Sequence, residues 1–235
     1  MRSGGLPPPE KVNCSSIIID DEEVPFGSNL LFTLSSGAVL GVEICEDLWV
    51  PVPPSSELCL NGADIIANLS ASNEAVTKND YRKNIISVQS AKCFCAYVYA
   101  SSGVGESSTD LVFSGACTIA ENGAILSESE RFAFDGSSAS AFIDFEKLNS
   151  ERVRNGSFSD NNEILRENDF TVIPAYVNEA EYDDIARSFY PYPFVPSNES
   201  ERELRCGEIL SIQSAGLAKR LAHTGLKKAV IGISG

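Results

Sequence analysis

The chain has 235 residues, 43% of them apolar and 22% charged, with a net charge of −15, seven cysteines and one histidine. Such acidity repels a nucleic-acid backbone and disfavours DNA or RNA as a partner. No apolar run is long enough to span a bilayer, and the segment Met1 to Glu10 lacks the apolar core of a signal peptide, so neither a membrane partner nor export is expected.

Taken in chain order, residues 1 to 13 read as a loose lead-in and Ser16 to Asp20 as a strand. Leu30–Leu34 and Val39–Ile44 are β-rich runs on either side of Ser35-Ser36-Gly37, a hairpin signal. A proline-rich loop (Pro51 to Pro54) leads to a short helix that ends near Asn61-Gly62, and Ala63 to Ser70 is an apolar strand. Asn79 to Lys92 has helical spacing, and Phe94 to Ala100 is a buried strand. Cys117 to Leu126 reads as a hairpin across Asn122-Gly123, and Ala141 to Asp144 closes the series. Hairpins mixed with strand–helix–strand units point to an α/β domain with a mixed sheet.

Beyond residue 147 the chain turns polar, then aromatic and proline-rich (Tyr190 to Pro196), as an interdomain linker would. From Ser200 to Thr224 it is helical, with Ser200 as the N-cap, and Lys227 to Ile233 reads as a buried strand running into Ser234-Gly235. A strand that stops at its own turn is half a motif, so the chain reads as truncated at its C-terminus.

Cys45 stands out. A β-branched run feeds into Glu43-Ile44-Cys45-Glu46-Asp47-Leu48-Trp49, which places a thiol at the tip of a strand, where α/β enzymes carry a nucleophile. Glu43, Glu46 and Asp47 disfavour a thiolate there, so a nucleophilic Cys45 calls for a cation from elsewhere in the fold. The base is not a histidine, because His223 lies at a distant helix end. No Cys-x-x-Cys pair exists, and zinc is not expected. An odd cysteine count without a secretion signal points to reduced thiols in the cytoplasm. Cys93 and Cys95 read as same-face strand residues pointing into the core, and Cys14, Cys59, Cys117 and Cys206 as small core hydrophobes.

Glu43 to Trp49, Asn68-Leu69-Ser70-Ala71-Ser72, Ala96 to Phe113 and Glu121-Asn122-Gly123 together resemble the glutaminase domain of glutamine-dependent NAD+ synthetases. That domain belongs to the nitrilase (carbon–nitrogen hydrolase) superfamily. The helix from Ser200 and the run Ala229 to Gly235 resemble the opening of the attached synthetase domain, where a strand leads into a Ser-Gly-Gly-x-Asp-Ser loop that holds ATP phosphates. The resemblance implies a fold: a partial nitrilase-like α-β-β-α sandwich over residues 1–150, a linker over 151–199, and over 200–235 the first helix and strand of a Rossmann-like synthetase domain.

It also implies an activity. The first domain would hydrolyse glutamine to glutamate and ammonia through a cysteine thioester. The second would use ATP, with Mg2+, to amidate nicotinic acid adenine dinucleotide to NAD+, in a homo-oligomer with internal transfer of ammonia. The family works with a Glu-Lys-Cys triad. By the resemblance Cys45 is the nucleophile and the backbone N–H of Glu46 an oxyanion donor. Ser72 and Lys78 hold the amino-acid end of glutamine, Trp49 and the Glu46 side chain line the pocket, and Ser234 and Gly235 begin the ATP site. Lys78 stands where relatives carry an arginine, a point charge in place of a bidentate fork.

The family's catalytic glutamate and lysine lie upstream of its cysteine. Lys11 and the glutamates Glu10, Glu22, Glu23 and Glu43 match neither position. The expectation is therefore an internal fragment of such a synthetase, inactive by itself. A free-standing nitrilase-type amidase and a non-catalytic nitrilase-fold interaction module are the alternatives.

Overall fold

A computed structural model describes residues 15–164, 170–177, 187, 189, 191, 192 and 194–232. The chain divides into two compact units, Met1–Ala186 and Arg187–Gly235.

The first unit is an α/β domain built on a mixed sheet. Its strands are β1 (Ser16–Ile19), β2 (Glu22–Pro25), β3 (Leu30–Leu34), β4 (Val39–Ile44), β5 (Ile65–Ser70), β6 (Ala96–Ser101), β7 (Cys117–Glu121), β8 (Ala124–Glu128) and β9 (Thr171–Ala175). β1 and β2 pair with each other alone, and the other seven form one sheet in the order β8-β7-β6-β5-β4-β3-β9. β4, β5 and β6 run parallel, with β3 antiparallel to β4 and β7 antiparallel to β6. Three parallel neighbours bring their carboxyl ends to one edge, the side on which open α/β sheets build their clefts.

The helices of this unit are α1 (Pro54–Leu60), α2 (Lys78–Cys93), α3 (Phe145–Arg154) and α4 (Gly156–Ile164). Pro54 opens α1 at a position where its missing N–H costs nothing. The strand period of two sends Gly41, Glu43, Ile66, Asn68, Tyr97 and Tyr99 to the buried side of the sheet. Leu58 of α1 and Ile86 of α2 join Ile66, Tyr97 and Tyr99 in the core. Gly41 permits the approach of α1, because a Cβ there would sit 3.2 Å from Leu58 Cβ and 3.1 Å from Ile66 Cδ1. The residues of opposite parity are less covered, and Leu69 is 59% exposed.

Both expected hairpins form. Gly37 turns the first at φ +86°, and Asn122 and Gly123 turn the second at φ +44° and +88°, the left-handed pair that a tight hairpin requires. Several details differ from the sequence reading. Cys93 ends α2 and Cys95 follows the left-handed Phe94, so neither lies on a strand, although both are buried as expected. Cys206 is exposed, because every described residue of its helix but one is exposed, while Cys14 lies outside the described residues. Ala141 to Asp144 forms no strand; Asp144 instead caps α3 by accepting the Lys147 N–H.

The stretch read as linker contains the end of α3, all of α4 and β9, and β9 extends the sheet by pairing in parallel with β3. Leu148 is fully buried, and Arg152 ion-pairs with Asp64 at 3.0 Å while donating to the carbonyls of Phe94 and Ala63. One arginine thus closes the open carbonyls at the end of α2 and before β5.

In the second unit α5 (Glu199–Thr224) is one long helix that stops at Gly225 with φ +69°. Its N-cap is Asn198, whose side chain accepts the Ser200 N–H at 3.0 Å; Ser200 itself is inside the helix. His223 lies in its last turn, as expected. The expected strand from Lys227 is absent from the described residues: Lys227 to Gly232 has no regular structure and is exposed. An edge of this kind needs a neighbouring strand to pair with before it becomes a strand.

Candidate active site

β4 ends at Ile44, and Cys45 turns the chain with φ +49° into a single 3-10 turn, Cys45–Trp49. A non-glycine residue in the left-handed region is strained by about 1–2 kcal/mol, a conformation kept where the surroundings hold it. Here the surroundings are visible. Asp47 Oδ2 accepts the Ile44 N–H at 2.8 Å, and Asn68 Oδ1, from the neighbouring strand β5, accepts the Cys45 N–H at 3.2 Å. The thiol is thereby lifted to the carboxyl edge of the parallel strands, half-buried.

Cys45 borders two cavities. One, of about 400 Å³, is lined by Cys45, Glu46, Trp49, Ser72, Asn73 and Lys78, among others. The second, of about 490 Å³, is lined by the ends of β4, β5 and β6, including Ile44, Cys45, Leu69, Ala100 and Ser102. The residues expected at the site from the sequence, Cys45, Glu46, Trp49, Ser72 and Lys78, therefore share one cavity. Ser234 and Gly235 lie outside the described residues.

Lys78 is the first residue of α2, after Thr77 in the left-handed conformation. A cation in the first turn opposes the helix dipole, so the fold gains nothing from placing it there. Its ammonium donates to the Asn73 carbonyl at 2.7 Å and to Asn73 Oδ1 at 3.0 Å, and it lies 5.6 Å from the centre of the Trp49 ring. Burial, and secondarily the Arg82 guanidinium, push the Lys78 amine below its ordinary value, against the opposing pull of Glu74, Cys45 and Glu46. Trp49 stacks on Tyr81 at 5.4 Å, so it packs against α2 as well as walling the cavity.

The loop between β5 and α2 is anchored from beneath. Glu74 accepts from Arg82 at 2.9 Å, from Arg131 at 3.1 Å and from Ser114 at 2.6 Å. Arg82 is fully buried, and Glu74 nearly so. Burial acts to raise the Glu74 carboxyl, but the Ser114 hydroxyl and the Arg82 and Arg131 guanidinium groups outweigh it and hold Glu74 below the usual carboxylate range.

The acids flanking Cys45 differ in their use from the sequence expectation. Glu43 points to the buried face, where its carboxylate accepts from the Ser55 N–H at 2.8 Å, from Asn68 Nδ2 at 3.3 Å and from the Tyr97 hydroxyl. Asp47 braces the backbone before Cys45. Of the three, Glu46 lines both cavities.

Sequence reasoning gave no role to Asn68, Asn73, Glu74 or Arg82. The signal was present for Asn68: an amide on the buried parity of a strand demands partners. For the others, spacing along the chain carried no such signal.

The profile described as carbon-nitrogen hydrolase matches residues 14–144. The chain is 42% identical over 229 residues to the glutamine-dependent NAD(+) synthetase of Mycobacterium tuberculosis (strain H37Rv), covering 94% of this chain and 33% of that protein. It is 32% identical to the protein of the same description from Homo sapiens over 133 residues, covering 56% of this chain and 18% of that one. A crystal structure of a glutamine-dependent NAD(+) synthetase from Cytophaga hutchinsonii aligns with a TM-score of 0.46 and 27% identity, covering 53% of this chain and 19% of that one. The chain thus spans about a third of the length of the mycobacterial relative. The matched segment holds β1 through β8 and the whole Cys45 cavity, and on that match the chain belongs to the carbon–nitrogen hydrolase family.

Proposed function

We propose that Cys45 is the nucleophile of a glutamine amidohydrolase site belonging to a glutamine-dependent NAD+ synthetase. The observation that carries this reading is the shared cavity, lined by a strained thiol together with Ser72, Lys78 and Trp49. The kinship at 42% identity to a protein of that description supports it.

In this reading the Cys45 sulfur attacks the side-chain amide carbon of glutamine. The oxyanion is met by the Glu46 N–H, ammonia leaves, and water hydrolyses the thioester to glutamate and free thiol. Ser72 and Lys78 hold the α-carboxylate and α-amino end, Lys78 through its charge and Ser72 through its hydroxyl. Family members draw base and cation from a glutamate and a lysine that match no residue of this chain, so the isolated chain is expected to release no ammonia from glutamine above background. The domain is read as a partial nitrilase-like α-β-β-α sandwich, with α5 opening a Rossmann-like synthetase domain in the cytoplasm. There ATP and Mg2+ would serve amidation of nicotinic acid adenine dinucleotide. The residues proposed for ATP, Ser234 and Gly235, lie outside the described residues, so no step is drawn through that site.

The test is covalent labelling of the purified chain with a glutamine-shaped chloroketone, mapped by peptide mass spectrometry. The reading expects labelling at Cys45 that exceeds labelling at the exposed Cys206 and is suppressed by free glutamine. Equal labelling of both cysteines, indifferent to glutamine, overturns it.

A further inference from the structure

Behind Cys45, on the covered face of the sheet, lies a polar cluster in the middle of an apolar core. Glu43, Asn68 and Tyr97 are 0%, 1% and 0% exposed. Each stands on a different parallel strand, β4, β5 and β6, and strand register sets Glu43 beside Asn68. Burial pushes the Glu43 carboxyl up, although hydrogen bonds from Tyr97, Ser55 and Asn68 counter it. A core needs no such group, since apolar residues of the same volume are often as stable or more so. A costly buried carboxyl next to a strained thiol calls for a purpose beyond packing.

The hydrogen bonds show one. Tyr97 donates its hydroxyl to Glu43 Oε1, and Asn68 Nδ2 donates to the same carboxyl oxygen at 3.3 Å and to the Tyr97 oxygen at 3.0 Å. Two acceptors on one side admit only the NH2 end of the Asn68 amide. Its oxygen must then face the other way, where it accepts from the Cys45 N–H at 3.2 Å and from the Ser70 hydroxyl at 2.7 Å. A flipped amide would set a donor against the Cys45 N–H and its oxygen against the Glu43 carboxylate.

We propose that Glu43, Tyr97 and Asn68 are positioning residues that fix the amide orientation of Asn68, and through it the backbone of Cys45 in its left-handed conformation. The network acts through the backbone, not on a substrate. It commits the Cys45 N–H to Asn68 and so leaves oxyanion stabilisation to other donors. This role deepens the reading of Cys45 as a nucleophile and rests on it, but its test needs no glutamine.

The experiment follows amide hydrogen exchange at Cys45, together with its site-resolved alkylation by iodoacetamide, in the intact chain. Asn68→Ala is expected to speed Cys45 amide exchange by about tenfold or more and to change its alkylation rate by about as much, the value of one lost hydrogen bond. Alkylation of Cys206 should stay constant. A purely structural role would raise exchange evenly over β4 and β5. That even rise, or unchanged Cys45 exchange in a folded Asn68→Ala chain, overturns the proposal. Should Asn68→Ala fail to fold, Tyr97→Phe decides: the Cys45 amide must exchange faster while that of Ile66 does not, and equal behaviour at both sinks the idea. Glutamine-indifferent labelling would remove the proposed substrate and leave these outcomes untouched.

Discussion

Lys78 Nζ sits 5.6 Å from the centre of the Trp49 ring, on the cavity that Cys45 shares, at the first residue of a helix whose dipole it opposes. Ring, thiol and ammonium come from the 3-10 turn and from the start of α2, elements separated in sequence by α1 and β5. The Lys78 ammonium is tied to Asn73, to which it donates two hydrogen bonds.

Lys78→Met separates recognition from reactivity. Labelling of Cys45 by the glutamine-shaped chloroketone is expected to fall about tenfold or more, the scale of one lost charge-assisted hydrogen bond. Alkylation of Cys45 by neutral iodoacetamide should stay within about twofold, because that reagent presents no carboxylate. Stability by urea unfolding should move by less than about 1 kcal/mol, since relief of the dipole conflict offsets the lost bonds to Asn73. Parallel losses with both reagents would count against a recognition role.

Glu74→Gln removes the counter-charge of a fully buried arginine. The expected loss is about 3–5 kcal/mol in urea unfolding, the usual cost of stranding a buried charge. A loss below about 1 kcal/mol would show that Arg82 finds compensation from water.

The two carboxyls near the site respond to acid with opposite sign. Glu74 is held low in the folded chain, so its contribution is present above the unfolded value near pH 4.3 and is lost as pH falls through the folded value. Glu43 is held high, so the stability linked to its protonated form is present below about pH 4.3 and is lost as pH rises through the folded value. Stability measured from pH 3 to 7 should therefore show a shallower acid-side decline in Glu74→Gln than in the parent chain. Glu43→Gln should instead remove a decline on the rising side. Identical pH profiles for both variants and the parent chain would contradict these assignments.

Gly41→Ala tests the packing under the site. The added methyl would lie 3.1 Å from Ile66 Cδ1 and 3.2 Å from two carbons of Leu58, so α1 must shift off β4. The expected cost is about 1–3 kcal/mol, typical of overpacking. A shift in Cys45 alkylation should accompany it, because the 3-10 turn connects β4 to α1. Thermal melts and site-resolved alkylation read the two effects.

Local signals were enough for most of the first unit. Leu30–Leu34 and Val39–Ile44 were legible as strands because apolar, β-branched side chains recur beside a glycine turn, and the second hairpin because Asn122-Gly123 suits left-handed backbone. The tip position of Cys45 followed from the same reasoning, as did the seating of Ser72 and Lys78 on its cavity once the resemblance was drawn. β9 was not legible. Thr171–Ala175 is a short run with a proline as its fourth residue, and it becomes a strand because β3 offers a free edge, each residue pairing with one 141 positions upstream. The run from Lys227 erred in the other direction: its apolar pattern promises a strand, but a strand needs a partner, and the described residues supply none.

The sequence by itself determined the alternation of elements, the thiol at a strand end and the residue types of its cavity, since these follow from side-chain period and backbone preference over a few residues. Only the tertiary structure decided what the acids around Cys45 do. Glu43 and Asp47 stand two residues from the thiol on either side, yet strand parity turns Glu43 to Tyr97 and Asn68, and the 3-10 turn folds Asp47 back onto Ile44. Charges adjacent in sequence were thus spent on holding the turn, because hydrogen-bond partners from β5, β6 and α1 reach them only after the sheet has formed.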